Sequence, residues 1–277
     1  MAFVDMHIHT VFSDGTYTPE DVVRHAVADG AGLIAVCDHN VIDGTLQVIP
    51  LAEAAGLTCI PGVEIDGIWR DIDVHVLCYG ADFENAALRK VIDHARFILD
   101  DMSTQLLLRM LKDYPQLSCD EYMAMPHDSK LGGWKMLEYM WKKGISSGMS
   151  DGFRFYETYN VTYAAAGFDS VETVLKAVHG AGGRAVLAHP GVTLPYKDMD
   201  DFKEMLCELL DLGFDGVECH YPRNSKALTR ACRDICHERG LMITAGSDCH
   251  GAFGRHIICD TRTERDQVEL KGLMGLE

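Results

Sequence analysis

Residues 2–15 read AFVDMHIHTVFSDG. An apolar run ending near Ile8 carries His7 and His9 two positions apart, and a turn containing Asp14 follows. In an extended strand that spacing puts both imidazoles on one face. The arrangement returns along the chain. GLIAVCDH (32–39) ends on His39, LTCIPGVEI (57–65) contains Glu64 and DVHVLCYG (73–80) contains His75. RAVLAH (184–189) ends on His189, DGVECH (215–220) on His220, and LMITAGSDCH (241–250) closes on Asp248 and His250 at the same spacing of two. These are short, nearly continuous apolar runs, the pattern of strands buried on both faces of a parallel sheet.

Helical stretches separate the runs. Thr18, Pro19, Glu20 and Asp21 supply an N-cap, a first-turn proline and first-turn acids ahead of VVRHAVADG, where Gly30 stops the helix. A second helix ends near AEAAG (52–56). Asp169 and Glu172 resemble a capping box for VETVLKAVHGAGG, which Gly182 and Gly183 end. Further helices are expected at about 200–212 and 225–239. Repeated strand–helix units predict the α/β class with a parallel sheet, and some seven strands favour a barrel. Residues 94–168 break the rhythm with the long helical run HARFILDDMSTQLLLRMLKDY, a loop and a second helix around WKMLEYMWKKG. The expected organisation is a discontinuous barrel, 1–93 and 169–277, carrying a mostly helical insertion, 94–168, whose Met and Leu stripe reads as core.

Composition narrows the partners. With 42 acidic against 25 basic residues, a net charge of −17 argues against nucleic-acid or anionic-membrane binding, so an anionic substrate needs locally placed cations. Ten cysteines without a CxxC pair read as reduced thiols, and no signal-peptide pattern or long apolar span is present, so a cytoplasmic location is expected.

In a barrel the strand ends meet at one mouth. His7, His9, Asp14, His39, Glu64, His75, His189, Asp248 and His250 would then converge, and imidazoles and carboxylates at that density suit zinc, manganese or iron. His220 would face the same mouth, either to orient substrate or protonate a leaving group, or to pack behind the site. Cys37 and Cys249 read as small buried hydrophobes, and His25, His94, His127, His179, His237 and His256 as surface residues.

The motifs His-x-His-Thr with Ser-Asp-Gly (7–15), Asp-His-Asn (38–40), Gly-Val-Glu (62–64), Val-His-Val-Leu-Cys-Tyr-Gly (74–80), Ala-His-Pro (188–190) and Gly-Ser-Asp-Cys-His-Gly (246–251) resemble those of the polymerase and histidinol phosphatase, or PHP, family. The resemblance implies a distorted (β/α)7 barrel holding two to three divalent ions. One would sit on His7, His9, Glu64 and Asp248, a second on Glu64, His75 and His189, and a third on Asp14, His39 and His250. It further implies a phosphoesterase in which metal-bound hydroxide attacks phosphorus, with Glu64 and Asp248 essential and a small sugar phosphate or nucleotide as substrate. Opening of a cyclic phosphodiester, such as a phosphoribosyl cyclic phosphate, followed by monoester cleavage is the alternative. A nucleic-acid exonuclease or a non-catalytic metal-binding module is the reading of another class.

Lys135 and Arg154 in the insertion, and Arg223 after the His220 strand, are the candidate phosphate-binding cations. Where nucleotide phosphatases of the family commonly carry Arg-Pro-His, this chain has Gly133-Trp134-Lys135, which weakens transfer of a nucleoside bisphosphate or AMP as substrate. Trp134 could stack on a base or sugar, or pack beneath the insertion.

Overall fold

The computed structural model describes residues 2–276. The first half runs β1 (Phe3–Ile8), α1 (Pro19–Ala28), β2 (Ala31–Val36), α2 (Asp43–Ala54), β3 (Thr58–Trp69), β4 (Ile72–Tyr79) and α3 (Ala86–Met110). Four short helices follow: α4 (Cys119–Ala124), α5 (Lys135–Lys142), α6 (Phe153–Thr158) and α7 (Tyr163–Ala166). The rest is α8 (Val171–Gly180), β5 (Arg184–Leu187), α9 (Pro190–Thr193), α10 (Met199–Leu210), β6 (Gly216–His220), α11 (Lys226–Arg239) and β7 (Met242–Ala245).

The seven strands form one sheet in sequential order. The chain after β7 closes it against β1: the amide of His9 donates to the carbonyl of Cys249 and that of Asp248 to the carbonyl of His7, both at 2.9 Å. Val4, Met6, Leu33, Ile60, Leu77, Tyr79, Val186 and Met242 fill the interior. The Tyr79 hydroxyl meets its buried requirement by donating to the Met6 carbonyl at 2.7 Å.

The all-parallel expectation fails at one strand. β1 to β3 and β5 to β7 pair in parallel, but β4 is antiparallel to both neighbours. Only Arg70 and Asp71 separate β3 from β4, with Arg70 at φ 54°, and two residues can make a hairpin but not a crossover. His75 therefore lies within a returning strand, opposite Asp66, rather than at a strand end.

α3 runs unbroken across position 94, and α8 is capped by Ser170, whose hydroxyl accepts from Thr173 N, rather than by Asp169, which pairs with His94 at 2.9 Å. The Met and Leu stripe of the insertion is core: Met102, Leu106, Met136, Leu137 and Met140 are buried together. The insertion is tied to the barrel mouth where Gly133 N donates to the Asp14 carbonyl at 2.7 Å. Gly132 and Gly133 have φ of +67° and +64°, and a Cβ on either would strike Phe253, so only glycine lets the two layers approach. Among the described residues no helix is long and apolar enough to cross a membrane, and all ten cysteines are free.

Asp5, fully buried in β1, binds the closing segment: its carboxylate accepts from Ser247 N at 2.9 Å, Cys259 N at 2.6 Å and His7 N at 3.3 Å. Asp5→Ala would strand those amides and should lower unfolding free energy by about 3 kcal/mol, with partial recovery in Asp5→Asn. Urea midpoints measure this, and an unmoved midpoint would deny Asp5 its closing role.

Candidate metal centre

β1 carries His7 and His9 follows its last residue, both fully buried, and the turn after them carries Asp14. Asp38 holds that turn in place, accepting from Thr10 N and Thr10 Oγ1 at 2.7 Å and from Ser13 Oγ at 2.6 Å. His39 follows β2, Glu64 and His75 come from the β3–β4 hairpin, His189 follows β5, and Asp248 and His250 follow β7. His189 and Asp248 have positive φ, 29° and 53°, conformations that cost non-glycine residues energy and persist where surroundings enforce them.

The donor atoms converge. His7 Nε2 and His9 Nε2 lie 3.1 Å apart. They stand 3.6 and 3.1 Å from Asp248 Oδ1, and 3.2 and 3.3 Å from Glu64 Oε2. The other Glu64 oxygen lies 2.9 Å from His75 Nδ1 and 3.3 Å from His189 Nε2. Asp14 Oδ2 is 3.2 Å from His250 Nε2 and Asp14 Oδ1 is 3.5 Å from His9 Nδ1, with His39 completing that group. All nine side chains named from the sequence as ligands thus meet, although His9 reaches two groups and His39 Nδ1 also lies 3.3 Å from Glu64 Oε2.

The residues fit divalent cations. Asp14 Oδ1, His39 Nδ1 and Glu64 Oε2 are buried without a hydrogen-bond partner, and such groups are costly to bury unless an ion meets them. The N/O donor set suits zinc, manganese and iron alike. In the ion-free chain the imidazoles carry the balancing charge. Burial opposes protonation of His39, but Glu64, Asp66 and Asp14 raise it to about 9. Burial likewise opposes His250, which Asp14 and Asp248 raise to about 10. Glu64 and Asp248 are held well below the usual carboxylate range against their own burial, chiefly by His7 and His39 for the first and by His250 and His7 for the second.

Several partners escape a reading of motifs. Glu218, fully buried, faces His7 Nδ1 at 3.0 Å and accepts from His189 N at 2.9 Å, so it orients one ligand and the backbone of another. Gly246 makes room for it: a Cβ there would lie 2.0 Å from Glu218 Oε1 and 2.3 Å from His7 Cβ. Asp66 and Asp73 each come within 3.2 Å of His75 Nε2, and the Tyr221 hydroxyl donates to Asp248 Oδ2 at 3.2 Å. Asp66 and Asp73 sit two residues from Glu64 and His75, so the alternation that exposed His7 and His9 marks them too.

Other candidates lie elsewhere. His220 is set against Arg233 and the backbone of Gln267, where burial first and Arg233 second lower it to about 4, and its Nε2 has no partner. A register irregularity between Glu218 and His220 breaks the alternation, and Glu218 takes the inward place. Lys135 reaches the Met123 carbonyl and lies over the Tyr122 ring, while Arg154 pairs with Asp151 over Phe155, so the insertion's two cations are engaged away from the ligands. Arg223 does line the mouth, in a pocket of about 530 Å³ with Tyr221, Asp248, His250, Gly254, Arg255 and His256. His256, expected at the surface, belongs to that pocket, and Arg255 was not anticipated. Burial pushes the Cys249 thiol up to about 12 and Cys37 well above its usual range, consistent with packing rather than ligation. The Trp134 ring lies 6.0 Å from that of His39 and lines an apolar cavity of about 120 Å³ with Met102, Phe153, Tyr156 and Tyr163.

A profile of the PHP domain matches residues 5–266. The chain belongs to the PHP family. It is 26% identical over 254 residues to the 5'-3' exoribonuclease Rnm of Salmonella typhimurium, covering 89% of this chain and 84% of the relative. It is 27% identical over 274 residues to a 3',5'-nucleoside bisphosphate phosphatase of Chromobacterium violaceum, covering 93% and 91%. It is 25% identical over 260 residues to a phosphoribosyl 1,2-cyclic phosphate 1,2-diphosphodiesterase of Eggerthella lenta, covering 91% and 95%. A crystal structure of a candidate metal-dependent phosphoesterase from Bifidobacterium adolescentis superposes with a TM-score of 0.79 at 25% identity, over 100% of this chain and 97% of that one. This PHP protein is a metal-dependent phosphoesterase, a hydrolase of phosphoric ester bonds.

At pH 7.5 His39 and His250 of the ion-free chain are protonated, with values of about 9 and 10, and must lose those protons to bind an ion. Metal loading should therefore release protons, read from calorimetric heats in buffers of different ionisation enthalpy; buffer-independent heats would contradict the charge balance. Because these values exceed the unfolded one of about 6.5, their stabilisation of the ion-free chain is complete below that pH and lost as pH rises through 9 to 10. Glu218→Gln keeps the shape but weakens His7 orientation, so metal affinity should fall about ten- to a hundredfold with unchanged circular dichroism. Undiminished affinity in a metal titration would make Glu218 a packing residue only.

Proposed function

We propose that this PHP phosphoesterase hydrolyses a phosphomonoester of a small sugar phosphate or nucleotide with two to three divalent ions of manganese, zinc or iron. The observation that carries the reading is the convergence of overlapping His, Asp and Glu donor groups beside the pocket containing Arg223, with Glu64 shared between two of them and Asp248 lining that pocket. Divalent ions in such a cluster activate water for attack at phosphorus and neutralise phosphoryl charge.

The chain's own residues prepare that chemistry. His7 Nδ1 donates to Glu218, which leaves the Nε2 lone pair free to bind an ion. His189 is held in the same way through Nδ1 and Thr193 Oγ1 at 3.0 Å. Tyr221 fixes the Asp248 carboxylate. His256, paired through Nδ1 with Asp260 at 2.8 Å, takes over from His220 as the residue placed to protonate a leaving oxygen at the mouth. Ten free thiols, seven of them buried, fit a reducing compartment such as the cytoplasm.

Two other readings have support. The Eggerthella relative favours a cyclic phosphodiester opened before monoester cleavage, which the same centre would serve. The Salmonella relative favours a 5'-3' exoribonuclease, against which a net charge of −17 weighs. Screening the metal-loaded protein against nucleotides, sugar phosphates, cyclic phosphates and 5'-phosphorylated oligoribonucleotides ranks all three by kcat/KM. Glu64→Gln and Asp248→Asn should each reduce kcat by about a thousandfold or more and lower metal content while leaving the barrel folded. Full activity in a metal-stripped sample of either variant would overturn the mechanism.

A further inference from the structure

We propose that Arg255 and Arg223 form a two-guanidinium clamp for a second, non-scissile phosphate on a small substrate. The inference rests on the phosphoesterase reading of the mouth and adds what that reading lacks, the charge pattern of the substrate. Both arginines line the pocket that contains Asp248 and His250, so a group held there lies next to the metal ligands.

With acids in large excess, six of the arginines, Arg24, Arg70, Arg96, Arg154, Arg184 and Arg239, each engage a carboxylate. Among the described residues neither Arg223 nor Arg255 has a hydrogen bond or ion pair, although both are exposed to the pocket. A guanidinium fork suits bidentate contact with a phosphate, and two such groups line the pocket beside this centre.

The loop bearing Arg255 is built rather than loose. Gly251, at φ +61°, lets the chain pass where a Cβ would lie 2.2 Å from Thr16 Oγ1, and Ala252 N donates to that hydroxyl at 2.8 Å. Phe253 is seated on Gly132 and Gly133 of the insertion, and Gly254 packs where a Cβ would come within 3.1 Å of His250 Cβ. The insertion thus contributes by anchoring the loop of Arg255, while its own Lys135 and Arg154 are occupied elsewhere. A pocket of about 530 Å³ suits a small molecule, and a local pair of positive charges in a strongly acidic protein favours a compact dianion over a long polyanion.

The test uses the metal-loaded full chain and paired substrates differing only in the second phosphate: fructose 6-phosphate with fructose 1,6-bisphosphate, and adenosine 5'-monophosphate with adenosine 3',5'-bisphosphate. Arg255→Ala and Arg223→Ala should each raise KM for the better-turned-over bisphosphate about ten- to a hundredfold, against less than about threefold for its monophosphate. The KM of the wild type for the bisphosphate should rise with ionic strength, and that slope should flatten in both variants. Arg255→Lys should recover part of the loss, and Lys135→Ala, from the insertion, should change neither substrate. Equal losses on mono- and bisphosphate would overturn the clamp while leaving the phosphoesterase reading intact. A loss seen only with a 5'-phosphorylated oligoribonucleotide would overturn the small-molecule assignment. No phosphate release from any ester would overturn the underlying reading and the clamp with it.

Discussion

The buried carboxylate of Glu64 is the constraint around which this protein is arranged. It has no solvent exposure, and its two oxygens face His7, His9 and His39 on one side and His75 and His189 on the other. A carboxylate so placed must be balanced by positive charge. Protonated imidazoles provide it in the ion-free chain, and divalent cations can replace them. Five histidines from four parts of the barrel must therefore be delivered to one point, which dictates where β1, β2, β4 and β5 end or turn.

The reversal at β4 serves that demand. A right-handed crossover after β3 would have sent the next strand back in parallel and left His75 to arrive at a strand terminus. The tight hairpin instead places Asp66 and His75 directly opposite each other, so the ligand and its carboxylate partner come from paired positions of one ribbon. Closure across the His7–Asp248 and His9–Cys249 backbone bonds then joins the first ligand pair to the last, with Asp5 securing the return segment.

The mouth has two unlike sides. Toward the insertion, Trp134 and Tyr163 border an apolar cavity next to His39. Toward the C-terminal loop, Arg223, Arg255 and His256 border a polar pocket next to Asp248 and His250. The insertion covers one side and, through Phe253 on its two glycines, braces the loop that forms the other. A family fold shared with differently named relatives is specialised here by these flanks, since the metal donors themselves would serve any phosphoryl ester.

Alternation within short apolar runs, with the turn that carries Asp14, was enough to read the strands, the α/β class and the nine donor side chains, because a period of two fixes which residues share a face. That logic failed where backbone geometry changed. The two-residue turn at Arg70 reversed β4, and the irregularity after Glu218 turned His220 toward Arg233 and left Glu218 facing His7. Cations were the least legible, because a long side chain with several rotors declares its partner only in three dimensions. Lys135 and Arg154 found a carbonyl, two rings and Asp151, whereas Arg255, in a loop with no periodic signal, came to the mouth. The sequence by itself determined the strands and the donor set, since the strands and most donors follow from local alternation and Asp14 lies on the adjoining turn. Only the tertiary structure decided strand direction, the supporting carboxylates and the charge around the mouth, since those depend on contacts between segments far apart in the chain.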